Sequence, residues 1–122
     1  MKLNQYPVAI AQAAQTVNEL ESQIAAVQLV INRIEGNADK VAAFETDLKN
    51  DNQRKARRFE VLQVNLEYQQ SLNTLIRLTA ERGNAVAQLE YLRNQFSVAK
   101  LETRLAIARQ LTGSEALELI GA

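Results

Sequence analysis

The chain has 122 residues, with 14 basic and 14 acidic side chains, a single proline, and neither cysteine nor histidine. That length suits one domain, and the missing thiols and imidazoles exclude disulfides, zinc–thiolate sites, the usual general base near neutral pH and the commonest transition-metal ligand. A hydrophobic fraction of 47% is that of a folded protein, and the lack of cysteine fits a reducing compartment and a cytoplasmic location.

At the N-terminus, "MKLNQYPVAIAQAAQ" has Asn4 and Gln5 breaking the apolar run, so no signal peptide is expected. No stretch approaches the roughly 18 apolar residues of a membrane span, so no membrane insertion is expected. Ile10, Ala13, Val17, Leu20, Ile24, Val27, Ile31, Ile34, Ala38, Val41 and Leu48 then step by three and four, a heptad seam that only Glu45 breaks. The spacing predicts one helix over about 8–49, with Pro7 in its first turn and a soft point at Gly36. "KNDN", 49–52, reads as a turn in which Asp51 or Asn52 caps a short helix over about 53–63, with Ala56, Phe59 and Leu62 facing inward.

Asn65 is a second N-cap, and a long helix over about 66–111 follows. Leu72, Leu75, Leu78, Leu89, Leu92, Phe96 and Ala99 mark its apolar side; Val98, Leu101, Leu105, Ala108 and Leu111 then shift that side round the helix. Gly113 ends it, and "SEALELI" makes a terminal short helix over about 114–120, capped by Ser114.

The expected fold is all-α: one helical domain over 1–122, a long antiparallel coiled-coil-like hairpin with a short helix at its tip. The charge supports antiparallel pairing. Acidic residues outnumber basic ones seven to four over 1–51, and basic outnumber acidic ten to five over 52–110. Two helices facing only each other leave several apolar side chains uncovered. Val30, Phe44, Phe96, Leu101, Leu105 and Ile107 are therefore candidates for an oligomer interface, most simply a homodimer with a four-helix core.

Chemistry-bearing patterns are few. Arg54, Lys55, Arg57 and Arg58 crowd the short helix and are candidate nucleic-acid contacts; the competing reading is a solvated helix face that compensates Asp47, Asp51 and Glu60. Leu117, Leu119 and Ile120 make a candidate partner-docking tail. Glu45, Asp47 and Asp51 lack calcium-loop spacing, the serines lack a histidine partner, and glycine-rich phosphate loops are missing. No catalytic, cofactor-binding or metal-binding residue is therefore assigned, and an enzyme is not expected.

"KNDNQRKARR", then "EYQQ", then "LEYLRNQFSVAKLETR" resembles small helical coiled-coil accessory proteins of phages and mobile elements, over about 49–104. The resemblance implies an accessory role in DNA metabolism or host interference and carries over no binding residue. The function expected from the sequence is a non-enzymatic helical interaction or scaffold protein. The alternative is a nucleic-acid-binding accessory that uses the basic tip and the basic side of the long helix.

Overall fold

In a computed structural model of the chain, a short 3-10 turn, Leu3–Gln5, precedes three α-helices: α1, Tyr6–Phe44; α2, Asp51–Gln63; and α3, Leu66–Gly121. The structure describes the backbone of residues 1–121 and the side chains of residues 1–113. Among the described residues there is no strand, and a long helix packs against another. No described helix is long and apolar enough to cross a membrane. The chain divides into two compact units, Val17–Asn84 on one hand and Met1–Thr16 with Ala85–Ala122 on the other.

In the unit Val17–Asn84, α2 lies on α1 and on the first turns of α3. Ile34 and Ala38 of α1 and Leu62 of α2 form its core, with Val30, Val61 and Tyr68 packed against them. The ion pairs Glu21–Arg82 and Arg33–Glu67 run in opposite chain directions, so α1 and α3 are antiparallel here. The seam is buried at Val17, Ile31, Ile34 and Ala38 and half-buried at Leu20, Ile24 and Val27. At Val41 the heptad reading slips: Val41 is 41% exposed, and Ala42, at 4%, takes the inner position. A straight helix has 3.6 residues per turn, so a strict 3.5-residue repeat drifts until a step of four replaces a step of three.

Helix ends depart from the sequence reading at three places. α1 stops at Phe44 rather than near 49, because Thr46 and Asp47 are weak helix formers and the chain turns to start α2. Asn50, not Asp51 or Asn52, is the cap. It is extended, its side chain accepts the Gln53 N–H at 2.9 Å, and the Gln53 side chain in turn accepts the Lys49 N–H at 2.6 Å. This reciprocal arrangement resembles a capping box shifted by one residue, and it fixes the start of α2 at Asp51, which favours the helix N-terminus as an anion. α3 runs through Gly113 to Gly121 without the left-handed residue that a glycine stop needs. The cap at Asn65 forms as expected, its side chain accepting the Tyr68 N–H at 2.9 Å.

Helix α1 passes Gly36 unbroken because Ile34 and Ala38 on either side are held in the core, which outweighs a glycine cost of about 1 kcal/mol. On α2, Ala56 and Phe59 do not face inward: Phe59 is 64% exposed, and the helix seats itself through Val61 and Leu62. In that orientation Arg57 and Arg58 reach carboxylates on and just after α1.

In the unit Met1–Thr16 with Ala85–Ala122, Tyr6, Leu89 and Leu92 are buried. The Tyr6 ring stacks on Phe96 with centroids 5.3 Å apart, and the Lys100 ammonium lies 4.4 Å from the Phe96 centroid. Phe96 is thus occupied within its own unit on two sides.

Candidate interaction surface

At about 100° per residue, Leu89, Leu92, Phe96 and Ala99 share one side of α3. All are buried or half-buried. Val98, Leu101, Leu105 and Ala108 advance by three, four and three residues along roughly the opposite side, with Leu111 at the edge of the stripe. None of these five is covered: Val98 is 54%, Leu101 56%, Leu105 48% and Leu111 60% exposed, and Ala108 is exposed as well. The apolar side of α3 therefore changes over near Phe96–Val98. Beyond it, the side that carried the inner seam is mixed: Lys100, Thr103 and Gln110 are polar, and Ile107 lies among them 51% exposed.

Flanking charges frame the stripe. Glu102 and Arg109 lie along one edge and Arg104 along the other. A groove lined by Tyr6, Tyr91, Asn94, Gln95, Val98 and Glu102 borders its first turn. The helix thus carries one apolar stripe towards its own chain and a second, heptad-spaced stripe in water.

The other interface candidates scatter. Val30 is half-buried against the core of its unit, whereas Phe44, in the same unit, is 82% exposed where α1 ends. Leu101 and Leu105 sit on the stripe, and Ile107 lies well away from its centre at 51% exposure. The candidate tail residues Leu117, Leu119 and Ile120 lie outside the described side chains.

Most of the basic cluster on α2 is engaged. Arg57 donates from Nε to Glu45 at 2.8 Å and reaches Glu60 at 3.5 Å. The hydrogen bond and charge of Glu45, followed by those of Glu60, raise its pKa. Arg58 donates to Asp39 at 2.6 Å and lies 3.8 Å from Glu35, and Arg54 meets Asp51 at 3.1 Å. Of the four, only Lys55 makes no ion pair with a described residue. Glu45, which reads as a flaw in the seam, is the partner that orients Arg57. Exposed pairs like these contribute about 0–1 kcal/mol each, but they spend the cations' charge locally.

Binding to DNA at physiological salt should accordingly be no tighter than about 10⁻⁴ M, the weak end of non-specific affinity. Fluorescence anisotropy with single- and double-stranded oligonucleotides checks this. Submicromolar binding that disappears when Arg54, Lys55, Arg57 and Arg58 are changed to Gln would show instead that phosphates displace the carboxylates.

Tyr68 joins the same network. Its hydroxyl donates to Glu35 at 2.9 Å, and burial first, then that hydrogen bond, pushes the phenol pKa up, with the Arg58 charge opposing. Tyr68→Phe should cost about 1 kcal/mol at neutral pH. Because the folded-state pKa is raised, the phenol's contribution is complete below its ordinary pKa of about 10 and is lost as pH rises through the folded value. Urea midpoints of wild type and variant should therefore converge in strong base; a constant gap would contradict the assignment.

Among the described residues no three acidic side chains converge as a metal site would require. Comparison with protein-family models, curated proteins and solved structures finds no match.

Proposed function

We propose that the protein is a non-enzymatic helical interaction module whose working surface is the stripe Val98–Leu101–Leu105–Ala108–Leu111. The observation that carries this reading is the change of apolar side along α3. One stripe is used within the chain, and the next, on the opposite side, is spaced for a helix and left in water. Such a surface recruits another amphipathic helix through side-chain packing, with edge charges setting register and partner. The likeness of 49–104 to small helical accessory proteins of phages and mobile elements supports a role as a scaffold or adaptor.

The test is affinity capture from the source cell, with and without nuclease, using wild type and Leu101→Glu/Leu105→Glu. Both positions are about half exposed, so the variant should keep the wild-type melting temperature when dilute. The reading expects a partner retained after nuclease treatment and lost with the variant. Capture that survives the variant, or that nuclease abolishes, would move the working surface elsewhere.

A further inference from the structure

The charges at the edges of the stripe say which helix fits it best, and in which direction. In a parallel two-stranded pairing, opposite edges of the two helices meet, so Arg104 would face Arg109 of a second copy. Twofold symmetry repeats that like-charge contact. In an antiparallel pairing, each edge meets its own counterpart reversed. Glu102 then faces Arg109 of the second copy, and Arg109 faces Glu102 of the second copy. In the same register Leu105 packs on Ala108 of the second copy near the twofold axis, where the small alanine lets the helices approach closely. Arg104 falls beside Leu111 of the second copy rather than beside a cation, and its aliphatic stem suits that contact.

From this self-complementarity we infer that the stripe is the interface of an antiparallel homodimer, held in register by two symmetry-related Glu102–Arg109 pairs. The inference rests on the stripe being the working surface, and it names a second copy of this chain as the occupant. One edge of a single helix supplies both halves of the charge pair, as an isologous contact demands. The polar Thr103 and Gln110 remain outside the interface. In this register the two stripes overlap only over about 102–111, under three turns, with Leu101 beside Thr112 of the second copy; that falls short of the roughly 800 Å² per partner typical of stable complexes, so the dimer is a concentration-dependent one.

Sedimentation equilibrium of the full chain, from low micromolar to several hundred micromolar, tests the inference. Wild type should pass from monomer to dimer. Arg109→Glu and Glu102→Arg should each weaken the dimer by about tenfold, since each places like charges together twice. Glu102→Arg/Arg109→Glu, which exchanges the two signs, should restore it. Both residues lie on an exposed helix surface, and circular dichroism confirms that each of the three variants is folded. In a parallel dimer Arg109→Glu would instead tighten association by relieving the clash with Arg104, so tightening overturns the inference. A wild type that stays monomeric throughout also overturns it. If that monomer still loses its captured partner through Leu101→Glu/Leu105→Glu, the interaction-surface reading stands and only the second copy is rejected.

Discussion

Ile31→Ala should destabilise the protein by about 2–5 kcal/mol, seen as a lower urea midpoint with an unchanged slope. Ile31 is 3% exposed, the lowest of the large seam residues on α1, and it sits one turn before Ile34 and the core formed with Ala38 and Leu62. Removing three carbons there loses their transfer free energy and leaves a cavity that the surrounding side chains cannot fill without moving. For a chain of this size the total stability is of the order of 6–18 kcal/mol, so the loss is a large share. Ile24 is only half-buried and should lose less when cut to Ala, although the heptad pattern ranks the two alike. An unchanged midpoint for Ile31→Ala would place that side chain outside the core.

Ala38→Asp should cost more still, about 3–5 kcal/mol, because it sets an uncompensated charge in an apolar cluster. Ala38 is 1% exposed and lies in the apolar cluster with Ile34 and Leu62. Burial would raise the introduced carboxyl's pKa above the usual value of about 4, so the neutral acid is preferred in the folded state. The penalty should therefore be smallest below about pH 4, where only the steric and polar cost of the neutral acid remains, and grow as pH rises towards the raised value. Ala38→Ser, polar but uncharged, should fall between wild type and Ala38→Asp at neutral pH and show no such pH dependence. Thermal melts across that range check both. A pH-independent loss in Ala38→Asp would mean that the side chain escapes to water and that α2 does not seal this position.

Helical character and the inner seam were legible in the sequence because burial imposes a period that a reader can count. Val17, Ile31, Ile34 and Ala38 fall where the heptad puts them, and Asn65 caps α3 as its residue type suggests. What failed depends on contacts far apart in sequence. Val41 yields to Ala42 through accumulated drift, and α2 turns Phe59 outward because Val61 and Leu62 take the inner positions against Ile34 and Ala38. Of the two glycines, the reading of an unbroken helix holds at Gly36 and the expected stop fails at Gly113. Gly36 is carried by the core on either side, and Gly113 adopts no left-handed conformation and does not end α3. The stripe was visible as a shift of the apolar side, yet only the structure shows that the shift leaves Val98 to Leu111 uncovered. The basic cluster carried a signal for its own role as well: acidic residues at 35, 39, 45 and 51 precede it, and three of its four cations pair with them and with Glu60.

The most direct measurement of the central claim is carbene footprinting of α3, read by mass spectrometry, on the purified chain at submicromolar concentration and on the same chain in nuclease-treated extract of the cell that makes it. If the stripe is a docking surface, peptides containing Leu101, Leu105 and Ala108 should label heavily in the dilute sample and lose most of that labelling in the extract, while Thr103 and Gln110 on the other side change little. Equal labelling of the stripe in the two samples would contradict the claim.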